Sequence, residues 1–135
     1  MRVANPYLVS AVLEPFLFLE ADAAEAAASI DPSNEGEIRN CIRQLLVPYF
    51  FRFDEKSKSM IKDSLGYMLS KGSDKWENLF STNQCPLSLP DPPEKFFEWL
   101  WDELFGKSPL LDGPIETYIF REDIHAPNLI KRAAK

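Results

Sequence analysis

Histidine is almost absent from this chain of 135 residues, and its scarcity narrows the chemistry open to the protein. Because His125 is the single histidine, every Ser-His-Asp, Cys-His or histidine–metal site would have to include it. No Gly-x-Ser-x-Gly motif is present, and neither Cys41 nor Cys85 has a protease-like sequence around it. The surroundings of His125, Arg-Glu-Asp-Ile-His-Ala-Pro, instead favour a structural histidine beside a helix end, where it would interact well with the helix dipole.

The five glycines, at positions 36, 66, 72, 106 and 113, form no familiar phosphate-binding loop. They fit neither G-x-x-x-x-G-K-[ST] nor G-x-G-x-x-G. The sequence also lacks a D-x-[DN]-x-[DN]-G calcium loop, and with a single histidine it cannot supply the two Glu-x-x-His motifs that a helical di-metal site needs. With 21 acidic residues, neighbouring carboxylates arise by chance, so no pair of them indicates acid–base catalysis. We therefore predict a protein that is not an enzyme and needs no metal or cofactor.

Basic residues are outnumbered, with 15 Lys and Arg against 21 Asp and Glu and a net charge of −6. Binding of nucleic acid needs a surplus of positive charge, so this balance argues against nucleic acid as a partner. The net charge is −4 over residues 1–50, +1 over 51–82, −5 over 83–120 and +2 over 121–135. The acid surplus therefore lies in two regions separated by a nearly neutral, lysine-rich middle.

Long apolar runs are absent as well, since no stretch reaches the ~20 apolar residues that a membrane-spanning helix needs. The apolar run over 7–19 loosely imitates a signal peptide, but Glu14 and Pro15 interrupt it. Cys41 and Cys85 could in principle form a disulfide, although two free thiols in a reducing compartment fit their spacing better. We predict a cytoplasmic protein that makes no membrane contact.

The length and the 45% content of hydrophobic residues are those of one folded domain, residues 1–135, which needs no disulfide or metal to hold it. Helix starts are indicated by Asn5-Pro6, Asn34 and Asp54, and helix ends by Gly72 and Gly106. Together these signals predict an all-α bundle of six or seven short helices, with at most one minor two-stranded element.

One predicted helix is amphipathic by its spacing. Its apolar side carries four residues at helical intervals, Ile38, Cys41, Ile42 and Leu45. Arg39 and Arg43 fall on the other, polar side. Pro48 interrupts this pattern, so residues 49–53 fit either a short strand or a continuing helix. Residues 115–121 are ambiguous too, with the helical pattern slightly better than the alternating one.

The predicted helix over 93–105 is the most aromatic segment of the chain. Its apolar residues spread over roughly 240° of a helical wheel and comprise Phe96, Phe97, Trp99, Leu100, Trp101, Leu104 and Phe105. Glu94, Glu98 and Asp102 form a polar stripe at intervals of four, and Glu103 projects within the apolar arc. These acids fit either the solvated edge of a core helix or a contact surface for a cationic partner. The second interpretation follows because like charges four residues apart repel each other unless a cation meets them.

These features predict a protein that binds a basic surface of another protein. A compact acidic domain is steered toward such a surface and mimics phosphate there. Bacterial immunity proteins and antitoxins that neutralise basic nuclease toxins, by covering the active site or an exosite, are proteins of this type. The predicted contact residues are Glu94, Glu98, Asp102 and Glu103, with a second candidate cluster of Glu20, Asp22 and Glu25.

Two other functions stay open. An acidic secretion chaperone or adaptor would bind an extended client segment, but such proteins are usually mixed α/β dimers and the strand content here is low. A small enzyme that uses carboxylates, or a fragment of a regulatory domain, is the third possibility. It would be supported by loss of activity on removal of a single Asp or Glu.

Overall fold

The computed structural model describes residues 2–123, 125, 127 and 130–132. The predicted all-α fold with one minor strand element is confirmed. In chain order the elements are β1 (Arg2–Ala4), α1 (Pro6–Leu17), α2 (Ala21–Ala28), α3 (Glu35–Cys41), a π segment (Ile42–Leu46), α4 (Val47–Phe50), α5 (Glu55–Lys71), α6 (Trp76–Thr82), α7 (Glu94–Phe105), a 3-10 turn (Ile115–Thr117) and β2 (Tyr118–Phe120). No described helix is long and apolar enough to cross a bilayer.

The helix ends lie where short polar residues and glycines place them. Asn5, Asn34 and Asp54 each accept a hydrogen bond from a backbone N–H in the first turn of the helix that follows. α5 and α7 end at Gly72 and Gly106, with φ of 88° and 63°, a conformation that glycine adopts without steric cost. Local side-chain chemistry therefore determines most of the boundaries.

Pro48 does not end the helix that contains it. Proline has no N–H to donate to the carbonyl of Gln44, and its ring crowds that carbonyl. The chain relieves the crowding by widening one turn, in which the N–H of Val47 donates to the carbonyl of Ile42, five residues earlier. α3, the π segment and α4 therefore run on from one another, and the helical alternative for the start of 49–53 is correct.

The helical preference for 115–121 is wrong. After one 3-10 turn the chain forms β2, which pairs in parallel with β1 in the register Arg2 to Tyr118. Tyr118 is buried, and its hydroxyl accepts a hydrogen bond from the N–H of Asp112 at 2.9 Å. Arg2 anchors β1 to α5 through Asp63 at 3.1 Å. These long-range contacts outweigh the weak local preference of a seven-residue segment.

The core is built around the aromatic face of α7. Phe96 and Phe97 are fully buried, and Phe97 stacks on Trp76 of α6 with ring centroids 4.4 Å apart. The loop before β2 crosses α5 at Gly66, where a Cβ would lie only 2.0 Å from the carbonyl oxygen of Leu110. Glycine at this position is therefore required by the close approach of two backbones.

Candidate functional site

The four acids predicted as contact residues on α7 lie in different environments. Glu98 and Asp102 are exposed and Glu94 is half-buried. The side chain of Glu103 is only 15% exposed. The stripe predicted from spacing therefore exists on the surface, but Glu103 is turned toward the neighbouring helix.

Two arginines of the neighbouring helical segment bind the end of the stripe. The Nη2 atom of Arg39 lies 2.9 Å from Asp102, and its Nη1 atom lies 3.2 Å from Glu103. The Nε atom of Arg39 also lies 2.8 Å from Glu35, one turn earlier on α3. Arg43 reaches the second oxygen of Glu103 at 2.9 Å. We call these five residues, Glu35, Arg39, Arg43, Asp102 and Glu103, the arginine clasp.

The arginine clasp corrects one expectation. The polar side of the helix, which carries Arg39 and Arg43, faces α7. Asp102 was expected to lack a cation within the chain, and Arg39 supplies one. The position of Glu103 inside an apolar arc is thereby explained, because a half-exposed arginine and a largely buried one neutralise it there. Two features of the sequence could have indicated this contact. They are the acid within an apolar arc and the two arginines four residues apart.

The other end of the stripe has no such neutralisation. The ion pairs among the described residues include neither Glu94 nor Glu98. Glu94 lies in the first turn of α7, where the helix dipole favours a negative charge. These two carboxylates therefore keep their charge available to solvent.

The second predicted cluster lies on α2 and next to its start. Glu20, Asp22 and Glu25 are exposed, and none of them pairs with a described cation. At 100° per residue Glu25 points away from the side of α2 that carries Ala23, Ala26 and Ala27. Of the residues in α2 only Ala27 is buried, so this helix rests lightly on the rest of the molecule.

A groove separates α2 from α3 and the π segment. It has a volume of about 490 Å³. It is lined by eleven residues, Leu19, Ala23, Ala26, Ala27, Ile30, Gly36, Glu37, Asn40, Cys41, Gln44 and Leu45. We call this feature the α2 groove. The sequence offered only a weak sign of it, in alanines spaced three and four residues apart opposite a glycine.

One carboxylate, that of Glu37, belongs to the lining of the α2 groove. Two more acids are next in sequence to lining residues, Glu20 to Leu19 and Asp22 to Ala23. All three acids are exposed, and no described lysine or arginine pairs with them. The cleft is therefore largely apolar, and we call Glu20, Asp22 and Glu37 its rim.

The continuous helix formed by α3 and the π segment divides its side chains among three surroundings. Ile38, Ile42 and Leu46 are buried in the core. Arg39 and Arg43 face α7 in the arginine clasp. The remaining side, which includes Asn40 and Gln44, lines the α2 groove. This helix therefore lies between the arginine clasp, where the acids are paired with arginines, and the α2 groove, where the acids form no described ion pair.

The two cysteines and the single histidine lie in different parts of the described structure. Burial raises the pKa of the Cys41 thiol, and burial raises that of Cys85 to about 12, so both stay protonated at neutral pH. His125 is exposed in a turn, and its backbone N–H donates to Asp123 at 2.9 Å. The expected helix end beside it is replaced by the strand β2. Within the described part of the chain, no cluster of His, Cys, Asp and Glu side chains could hold a metal ion.

Comparison of the chain with protein families, with curated proteins and with solved structures found no match.

Proposed function

We propose that this chain is a small acidic binding protein whose partner is a basic protein surface. The observation that carries the proposal is the α2 groove, a largely apolar cleft of about 490 Å³ whose lining includes the exposed acid Glu37, which forms no ion pair with a described cation. Apolar contact area supplies affinity for a partner, and the surrounding charge supplies orientation and a fast encounter. The net charge of −6 acts in the same direction over longer distances.

The contact residues in this proposal are five acids that form no ion pair with a described lysine or arginine. On the groove side these are Glu20, Asp22 and Glu37, and on α7 they are Glu94 and Glu98. Asp102 and Glu103 are weaker candidates than their spacing suggested, because a basic partner would compete there with Arg39 and Arg43. Glu25 contributes to the negative electrostatic potential around Glu20 and Asp22.

Bacterial immunity proteins and antitoxins remain the type of protein that this proposal fits best. Their partner would be a basic toxin domain, whose active site or exosite the acidic surface would cover. The proposal places the protein in the cytoplasm, which agrees with two cysteines that are free rather than joined in a disulfide. It requires no nucleic acid and no membrane.

Affinity capture from the source cells tests the proposal. The wild-type chain is compared with a triple variant, Glu20→Lys, Asp22→Lys and Glu37→Lys, whose helical circular dichroism is checked first. We expect the wild type to retain a basic protein that the variant does not retain. Release at about 0.5 M salt is expected as well, because salt screens exposed charges. Equal capture by both proteins, or capture of acidic proteins only, contradicts the proposal.

A growth assay then tests which type of binding protein this chain is. The captured basic protein is expressed alone and together with this chain. Toxicity that this chain relieves, and the triple variant does not, supports an immunity protein or antitoxin. A harmless client that binds in an extended form, with this chain as a dimer, supports the secretion chaperone or adaptor instead.

A further inference from the structure

The walls of the α2 groove determine what kind of backbone can enter it. Both walls are helices, α2 on one side and α3 with the π segment on the other. Helical backbone groups are already bonded along their own helix, so the walls offer no unpaired row of N–H and C=O groups. An extended strand would lose its hydrogen bonds to water and find no row of backbone partners here, only the side chains of Glu37, Asn40 and Gln44. A helix satisfies its own backbone and presents only side chains.

The lining has the size and chemistry for an apolar helix face. Ala23, Ala26 and Ala27 are small enough to let a second helix approach α2 closely. Leu19, Ile30 and Leu45 are half-buried and supply the larger apolar contacts. The cleft has a volume of about 490 Å³. Helix-in-groove recognition uses apolar anchors at i, i+3, i+4 and i+7 for such a cleft.

The rim determines the charge of the occupant. Glu20, Asp22 and Glu37 lie on or next to the lining and have no described cation beside them. A helix that carries Lys or Arg beside its apolar face would meet these carboxylates at the edge, where the charges stay partly hydrated. Charges in that position set orientation and association rate.

A second copy of this chain is a poorer occupant than a single helix. The groove has eleven lining residues, whereas a stable protein–protein interface uses about 20–30 residues on each side. The most exposed large apolar side chains, Phe18 and Phe51, are 75% and 53% exposed and neither lines the groove. A short amphipathic segment needs no larger surface.

We infer that the α2 groove binds an amphipathic helix of the partner, one with an apolar face flanked by lysine or arginine. This inference rests on the proposed function and names the structural element that the protein recognises. In the wall formed by α3 and the π segment, Cys41 and Leu45 are the residues against which the apolar face would pack. π segments are frequent at functional sites, and here the segment shapes one wall of the groove.

A defined peptide tests the inference with the full chain. The probe is a 16-residue peptide with leucine at i, i+3, i+4 and i+7 spacing and lysine elsewhere, and its control has the same composition with the leucines dispersed around the wheel. Affinities are measured by isothermal titration calorimetry. We expect the amphipathic peptide to bind at least tenfold more tightly than the dispersed one. Equal binding would show attraction by charge alone and would overturn the inference.

Two matched variants of α2 locate the binding. Ala26→Trp fills the groove, whereas Ala28→Trp places the same side chain on an exposed position outside the lining. We expect Ala26→Trp to weaken peptide binding at least tenfold and Ala28→Trp to leave it within twofold. Both variants are checked for unchanged circular dichroism and melting temperature. Should Ala26→Trp unfold the chain, Ala23→Trp replaces it, since Ala23 also lines the groove.

A charge series distinguishes this inference from the broader proposal. Glu37→Lys on the rim is expected to weaken peptide binding several-fold, and Glu25→Lys, on the far side of α2, is expected to have a smaller effect. Loss of binding in Glu37→Lys with full binding in Ala26→Trp would overturn the inference and leave an acidic binding protein. No effect of either charge change would contradict both.

Alkylation of Cys41, which lines the α2 groove, gives an independent readout. The amphipathic peptide is expected to slow modification of Cys41 by a maleimide, compared with the same reaction in the presence of the dispersed peptide. Unchanged rates at saturating peptide contradict the inference. Protection of Cys41 that grows with protein concentration in the absence of peptide contradicts it as well, because a second copy would then be the occupant.

Discussion

The arginine clasp and the α2 groove are both acidic regions, and they differ in what neutralises them. In the clasp, Arg39 and Arg43 lie within 3.2 Å of the carboxylates of Asp102 and Glu103. Around the groove, Glu20, Asp22 and Glu37 are exposed and pair with no described cation. The first arrangement joins two helices, and the second leaves charge available for a partner.

The helices that carry these two regions, α7 and α2, differ in how much of each is buried. α7 buries five of its twelve residues, whereas α2 buries one of eight. Burial of apolar side chains provides most of the stability of a helix in a folded protein. α7 therefore belongs to the structural framework, and α2 is the element that can adjust to an occupant at little cost to the fold.

The largest expected loss of stability follows a substitution in the buried face of α7. Phe97→Ala removes a fully buried ring that stacks on Trp76, and should lower the free energy of unfolding by about 3–5 kcal/mol. Ala26→Gly in α2 should cost only about 1 kcal/mol, the ordinary helix-propensity penalty. Urea denaturation measures both. Similar losses in the two variants would contradict the assigned difference between α7 and α2.

Hydrogen exchange sharpens the comparison without mutation. Amides of α7 should exchange only when the whole domain opens, whereas those of α2 should exchange through local opening. We expect protection factors in α7 that are on the order of 100-fold higher than in α2. Mass spectrometry or NMR on the wild-type chain reads both helices in one experiment. Equal protection would mean that α2 is as firmly held as α7.

The arginine clasp should contribute a smaller, salt-sensitive amount. Glu103→Ala leaves Arg39 and Arg43 close together without the carboxylate between them, and we expect a loss of about 1–2 kcal/mol. The control Glu98→Ala, on an exposed acid with no described ion pair, should change stability by less than ~0.5 kcal/mol. The loss at Glu103 should shrink in high salt. Equal effects at the two positions would argue against the clasp.

The smallest effect concerns the turn between α2 and α3. Hydrogen bonds donated by the backbone and hydroxyl of Ser33 lower the pKa of the Asp31 carboxyl from its ordinary value of 3.8. Since the pKa is lower in the folded state, the turn adds stability above pH 3.8 and loses it as pH falls through the folded pKa. NMR titration should find a midpoint below 3.8, which Ser33→Ala raises. A midpoint at or above 3.8 in the wild type contradicts the assignment.

Local chemistry predicted the helices well, because caps such as Asp54 and ends such as Gly72 act within one turn. The same reasoning failed where a contact with a distant part of the chain determines the local structure. β2 forms because β1, over 110 residues away, provides its hydrogen bonds. Arg39 and Arg43 face α7 because Glu103 is there, and a single helical wheel shows only one of the two helices. The α2 groove arises from the relative placement of α2 and α3, which no spacing within either segment encodes.

The most direct test of the central claim is an NMR titration of the ¹⁵N-labelled chain with the 16-residue amphipathic lysine–leucine peptide. If the unneutralised groove is the binding surface, amide shifts will concentrate in α2 and along residues 36–45, and the amides of α7 will stay in place. Shifts centred on Glu94, Glu98 and Asp102, with α2 unchanged, would show that the stripe on α7 is the contact surface and would contradict the account.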